Sequence, residues 1–341
     1  MAVLCMESFE SLRFTLGSPW IYGAGLFGLA RNNSAAKTGS WGILTNGTGE
    51  TFDFGSIYGS RQTIITQFHY MNLVGLGDAF CRLKDNGGEQ VTIGTGADGS
   101  IKVWRGNESG TLLATSANVG LIAVNTWAHV EIKAKCDNAT GSIEVRINNV
   151  TALTLEGIDT QATSNAYFTR VTMCGPDGTN TARFDNFVLM DTSGARYNDF
   201  MGEGALYTQY VSAAGTSTQW TPSAGANYQN IDETGGHDSD TSYNSSNTPG
   251  QEDRFAVEDL VPTGGTVAAV ELITFARKDD AGTRQIANVI NLGGGRSQRA
   301  TATLSTDYAP IAEIFEVDPA DNSTLTPAKI NAAEIGYIEV T

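Results

Sequence analysis

Nowhere in these 341 residues do about 18 apolar residues run together, so no segment reads as a membrane-spanning helix. Positive charge is scarce as well: 21 Lys and Arg stand against 37 Asp and Glu, a net of −16. So acidic a surface repels phosphate backbones, and direct binding to DNA, RNA or an anionic membrane is disfavoured. Cysteine is limited to Cys5, Cys81, Cys136 and Cys174, with no Cys-x-x-Cys pair, and histidine to His69, His129 and His237, far apart in sequence. Neither spacing fits a zinc site, and the thiols are expected to be free and buried in a chain made in a reducing cytoplasm. A basic n-region is missing too: Glu7 and Glu10 fall where a secretory signal needs positive charge and then an unbroken apolar stretch, so no export signal is expected.

What is present is enough to fold. Apolar residues make up 40% of the chain, charged residues 17%, and 39 glycines supply turns, which argues against wholesale disorder. The length suits two domains. Residues 1–195 carry 13 Lys and Arg against 17 Asp and Glu, a net of −4, whereas residues 196–341 carry 8 against 20, a net of −12. A boundary near residue 195 and an acidic second domain, 196–341, are therefore expected.

Between Arg61 and Leu189 apolar and polar residues alternate with period two, broken at short intervals by Gly, Asn and Asp. The clearest strand is Ser142 to Asn148, with Ile143, Val145 and Ile147 on a core face and Glu144 and Arg146 on the other. It follows a turn around Asp137–Gly141, and Thr126–Lys135 is its expected partner. Further strands are expected at Arg61–Tyr70, Gln90–Gly94, Ile101–Arg105, Ala166–Met173 and Arg183–Met190. This pattern describes an all-β, antiparallel sandwich or jelly roll. From Ser212 to Gly250 the periodicity fades into a long surface excursion that Trp220 and Tyr228 can pin down. Thr266–Ala276, apolar on both faces, reads as a central strand in hairpin with Thr283–Leu292. Thr326 as N-cap and Pro327 at the first position start a short helix through Ala333, with Gly336 near its stop and Ile335–Val340 as a final strand.

Four segments carry a resemblance: Leu4-Cys5-Met6-Glu7-Ser8-Phe9, Asn125-Thr126-Trp127-Ala128-His129-Val130-Glu131, Gly141-Ser142-Ile143-Glu144-Val145-Arg146 and Phe184-Asp185-Asn186-Phe187-Val188-Leu189, running on through Asp191-Thr192-Ser193-Gly194. Together they resemble the laminin-G or concanavalin-like jelly rolls of tailed-bacteriophage virion proteins. The second half, through Trp220-Thr221-Pro222, Asn230-Ile231-Asp232-Glu233, Asp240-Thr241-Ser242-Tyr243, the run Ala276–Arg284 and Thr326–Asn331, is similar to a module that follows such jelly rolls in phage genomes. The resemblance implies a concanavalin-like sandwich over 1–195 and a virion-associated β-rich domain over 196–341. It further implies a non-enzymatic structural protein located in the virion, bound to capsid or tail subunits. A homo-oligomer, for which a trimer is the working guess, follows from the symmetry of virion appendages.

The chemistry-bearing residues give little to an enzyme. Sandwich glycosidases place two carboxylates at period two on one strand, but Arg146 stands where Glu144 would need its partner. Gly23-Ala24-Gly25-Leu26-Phe27-Gly28 matches a dinucleotide fingerprint only in letters, without the strand, helix and distant acid around it. Asp238-Ser239-Asp240, with Asp232 and Glu233, and Asp177-Gly178-Thr179-Asn180 offer oxygen ligands for calcium but no full EF-hand set. No catalytic, cofactor or metal residue is expected. Among Trp20, Trp41, Trp104 and Trp220, the pair Trp104 and Arg105 is the expected glycan contact if the protein is instead a carbohydrate-binding module of the host-adsorption apparatus.

Overall fold

The computed structural model describes residues 2–10, 20–22, 31–178, 181–234 and 236–341. The Gly23–Gly28 run, the side chain of Trp20, and Thr179 and Asn180 of the second acidic loop lie outside the described residues. Of those described, 2–10 and 20–206 form one compact unit and 207–341 another.

The first unit is built from β1 (Val3–Glu7), β2 (Trp20–Tyr22), β3 (Arg31–Asn32), β4 (Gly42–Thr45), β5 (Glu50–Asp53), the short helix α1 (Gly55–Tyr58), β6 (Thr63–Asn72), β7 (Ala79–Lys84) and β8 (Glu89–Thr95). It continues with β9 (Ile101–Arg105), β10 (Thr111–Thr115), β11 (Ala128–Lys135), β12 (Gly141–Ile147), β13 (Val150–Ile158), β14 (Arg170–Met173) and β15 (Ala182–Asp191). An eight-stranded sheet runs β13-β12-β11-β6-β15-β4-β3, with β1 also on β15, and a seven-stranded sheet runs β10-β9-β8-β7-β14-β5-β2. All pairings are antiparallel, and the unit is a concanavalin-like jelly-roll sandwich.

Alternation explains the layers. Ile143, Val145 and Ile147 of β12 are buried, while Ser142, Glu144 and Arg146 between them are half-buried on the outer face. Aromatic rings join the sheets: Phe80 of β7 stacks on Tyr70 of β6 at 5.1 Å, and Phe52 of β5 meets Phe187 of β15 edge-on at 5.6 Å. Strand β15 changes neighbours halfway. Ala182–Phe184 pair with β4 and Phe187–Met190 with β1, and the switch falls at a bulge where Asn186 takes φ 55°. All four cysteines are free and buried.

The second unit contains β16 (Val211–Thr218), β17 (Thr221–Pro222), β18 (Asn244–Ser245), β19 (Glu252–Val257), β20 (Val270–Ala276), β21 (Gln285–Asn291), β22 (Arg296–Thr303), β23 (Ala309–Phe315), the helix α2 (Pro327–Asn331) and β24 (Glu334–Glu339). Its five-stranded sheet is ordered β16-β19-β24-β21-β22. The expected hairpin between Thr266–Ala276 and Thr283–Leu292 does not form. Among the described residues strand β20 pairs only with β23, in a two-stranded ribbon, and β21 lies between β24 and β22. The doubly apolar pattern of β20 has another cause. Val270 and Leu272 pack on the cluster of Ile290, Leu292 and Phe315, while Phe275 on the opposite face is covered by the ring of His237, stacked at 4.9 Å. On that face it is a loop residue rather than a lateral strand that covers Phe275.

That loop belongs to the 212–250 excursion, which Trp220 and Tyr228 do anchor, packing with Phe255, Ile286 and Tyr337. Thr326 caps α2 by accepting from Lys329 N at 3.2 Å, with Pro327 in the first turn. Gly336 lies inside β24 rather than at the helix stop.

Candidate functional site

The expected glycan contact is not offered as expected. Trp104 sits in β9 between β8 and β10 with 9% of its surface exposed, too little to lay a ring face on a sugar. The half-buried Arg105 pairs with Asp159. Glu144 is committed to Arg146, whose Nε donates to it at 2.8 Å. In the acidic loop Asp238 accepts from Ser242 N and Oγ, and Asp240 accepts from Arg277 Nη2 at 2.8 Å and from the Tyr308 hydroxyl at 3.0 Å. Those carboxylates are thus already engaged by the protein. Among the described residues no set of three or more His, Cys, Asp or Glu converges as metal ligands.

A different place on the sandwich is open. A polar cleft of about 430 Å³ is lined by Asp53, Ser56, Asn86, Tyr167, Thr169 and Arg170. Asp53 ends β5, Ser56 lies in α1, Asn86 is in the β7–β8 turn, Tyr167 and Thr169 lead into β14, and Arg170 starts it. Arg170 donates through Nε and Nη2 to Asp53 Oδ2, both at 3.2 Å, and Ser56 N donates to Asp53 Oδ1 at 3.2 Å. Gly55 N meets Thr169 O at 2.9 Å, and a side chain on Gly55 would lie 2.5 Å from Thr169 Cβ, so only glycine lets α1 close on this wall.

The wall carrying Asn86 and Tyr167 is set by the fully buried Asp85. It accepts from Gly87 N at 2.6 Å, Gly88 N at 2.8 Å, Asn165 Nδ2 at 2.8 Å, Thr163 Oγ1 at 2.5 Å and Gln90 Nε2 at 3.2 Å. Burial pushes its carboxyl up, but the hydrogen bonds from Thr163, Asn165, Gly87 and Gly88 outweigh it and leave it below the usual carboxylate range.

A second polar region lies on the outer face of the eight-stranded sheet. Strand register sets His129 of β11 opposite His69 of β6 and Glu131 opposite Gln67, with the imidazole centroids 5.3 Å apart. All four are nearly fully buried, because residues 199–206 run across them. Gly202 N donates to Glu131 Oε1 at 2.8 Å, Leu206 N to Asn186 Oδ1 at 2.7 Å and Glu203 N to Asn149 Oδ1 at 2.7 Å. Glu203 Oε1 lies 3.3 Å from His69 Nε2, Lys133 pairs with Asp199 at 3.1 Å, and Arg146 lies over the Phe200 ring at 4.0 Å. Neither ring nitrogen of His129 has a hydrogen-bond partner among the described residues. Burial, with His69 beside it, lowers its pKa to about 4. Burial pushes Asp185, next to His69 on β15, up to about 7.

Sequence reasoning missed both places. The cleft is assembled from segments more than a hundred residues apart, and the two histidines meet only through strand register.

No protein-family model matches the chain, and no curated protein matches it in sequence. Among solved structures it is similar to an endo-β-1,4-glucuronan lyase from the fungus Trichoderma reesei, at 9% identity over 55% of this chain and 94% of that one, with a TM-score of 0.39. The cellulose induced protein Cip1 matches at 15% identity over 59% of this chain and 100% of that one, TM-score 0.40. The carbohydrate-binding module CBM66 from Bacillus subtilis matches at 11% identity over 51% of this chain and 96% of that one, TM-score 0.33.

Proposed function

We propose that the protein is a non-catalytic recognition module that binds a surface glycan in the cleft between Asp53 and Tyr167. The observation that carries this reading is the lining itself: a half-buried tyrosine ring beside an Arg170–Asp53 pair, an amide and the hydroxyls of Ser56, Ser60 and Thr169. Pyranose rings present apolar faces to aromatic rings and hydroxyl pairs to charged groups, so an open polar cleft with one ring at its wall suits them. Asp53 is the one carboxylate in the lining and is held by Arg170, whereas glycoside hydrolysis by the usual route uses two, which favours binding over cleavage.

A glycan array probed with the full chain is expected to retain at least one oligosaccharide. Tyr167→Ala and Arg170→Ala should each weaken that binding about tenfold or more, from loss of a ring contact or a charged hydrogen bond. Retention unchanged in both variants, or no retention by the parent protein, would sink the reading.

A second reading is a structural virion protein attached to capsid or tail subunits, as the resemblance of the sequence implies. It is favoured by the open edges of the sandwich, where the outermost strands β10 and β13 expose Leu112 at 49% and Val150 at 60%. Cryo-electron microscopy of the purified particle distinguishes the two: density with both edges covered and the cleft closed off favours assembly, and density with the cleft facing solvent favours recognition.

A further inference from the structure

The stretch 199–206 has no regular secondary structure and lies on a face whose buried groups it serves poorly. Its backbone amides at Gly202, Glu203 and Leu206 donate to that face, and Leu206 O accepts from Thr38 Oγ1 at 3.4 Å. Beneath it both nitrogens of His129 and Oε1 of Gln67 are buried without a partner among the described residues, a state that disfavours the closed arrangement relative to a hydrated one. We propose that residues 199–206 are a strap that stays down while the His69–His129 pair is neutral and lifts when the solution turns acidic.

The charged groups around the pair decide the sign. A protonated His129 meets His69 across the strand pair and Lys37 adds positive charge beside His69, while Lys133 and Arg146 are paired with Asp199 and Glu144. Glu203 of the strap pulls the other way on both rings, yet burial outweighs it for each, and both are held below the ordinary histidine value. Asp199 is engaged by Lys133. Asp185 is raised first by burial; its donors, the backbone amides of Lys37, Thr38 and Asn186, lie outside the strap, and any water it gains when the strap lifts opposes release. Glu131 opposes release, because burial raises it and the covered form therefore holds its proton more tightly. His129 weighs against it by geometry: protonated under the strap it would hold two buried N–H donors with no acceptor, and its pKa is lowered to about 4. A lifted strap returns His129 toward its ordinary value near 6.5, so protons bind the lifted form more tightly between those values. Acid consequently favours release. The strap ends at Leu206, where the first unit ends, and lifting it bares Gln67, His69, His129 and Glu131 together.

Hydrogen–deuterium exchange of the full chain at pH 7 and pH 5, corrected for intrinsic rates, tests the strap. The amides of Gly202, Glu203 and Leu206 should lose roughly tenfold or more of their protection at pH 5, while the amides of β6 keep theirs. In His129→Gln the strap should stay protected at both values. Protection that does not change with pH, an equal loss in the variant, or a loss shared by β6 would each overturn the proposal. Should the variant fail to fold, hydroxyl-radical footprinting of the parent protein serves instead: oxidation of Phe200 must rise from pH 7 to pH 5, and a flat response overturns the proposal.

Discussion

Asp85→Ala is expected to cost the sandwich about 3–5 kcal/mol and to abolish glycan binding at the cleft with it. The fully buried carboxylate accepts from five donors, two of them backbone amides, and alanine leaves four of them facing an empty space, since Gln90 Nε2 keeps Thr163 Oγ1 and Asn165 O as acceptors. Each orphaned buried donor costs ~1–3 kcal/mol. Water entering the vacated space recovers part of this, which is why the expected total lies well below the sum. The effect on binding follows from position: Gly87 and Gly88 shape the turn that carries Asn86, and Thr163 and Asn165 the segment that carries Tyr167. Asp85→Asn should fall between, since its remaining oxygen serves the glycine amides while its amide nitrogen confronts Asn165 and Gln90, which are donors themselves.

The pH dependence has a definite sign. The native carboxyl lies below its ordinary value of 3.8, so its contribution is fully present above that value and fades as pH falls through the native one. Urea unfolding at pH 7, read as a midpoint shift at constant slope, checks the prediction. A loss under about 1 kcal/mol would mean that the loops hold themselves without Asp85.

What the sequence made legible follows from where an aliphatic core face alternates with polar residues. The strand at Gly141–Ile147 and its partner Ala128–Lys135 are readable because Ile143, Val145, Ile147, Val130 and Ile132 enter one core while their neighbours point away. The cap of α2 is readable because Thr326 and Pro327 act locally. Edge strands such as β10 and β13 are not, since exposure on both faces erases alternation. Nor is β20, where the ring over Phe275 is that of His237 from a distant loop. Trp104 shows the same limit, since adjacency to Arg105 and a turn says nothing of how deeply its ring lies. His69 and His129 are sixty residues apart, and only the pairing of β6 with β11 makes them neighbours. The candidate sites are written in register and loop convergence, which are properties of the closed sandwich rather than of any window of residues.

Gly336→Ala should unfold or severely loosen the second unit, at a cost above ~3 kcal/mol. Gly336 looks like a helix stop from its position after α2, but its backbone is ordinary strand and conformational freedom is not what requires glycine there. Space is. A Cβ at this position would lie 1.9 Å from Asp253 O, 2.9 Å from Asp253 C and 3.0 Å from Arg254 Cα, all of them backbone atoms of β19. No rotamer change relieves such contacts, so β19 and β24 must separate where Arg254 faces Gly336. The neighbours on both sides suffer. Tyr337 loses its edge contact with Trp220 at 4.6 Å, and Asp253, fully buried, loses the geometry that receives Gln219 N, Trp220 N and Asn227 Nδ2. Gly264→Ala is the matched control: a Cβ there meets nothing within 4 Å and φ is not positive, so its effect should stay within about 0.5 kcal/mol. Urea unfolding followed by tryptophan fluorescence compares the two variants. Equal midpoints would mean that β19 and β24 are not in direct backbone contact at Gly336, and the order of the five-stranded sheet would then have to be redrawn.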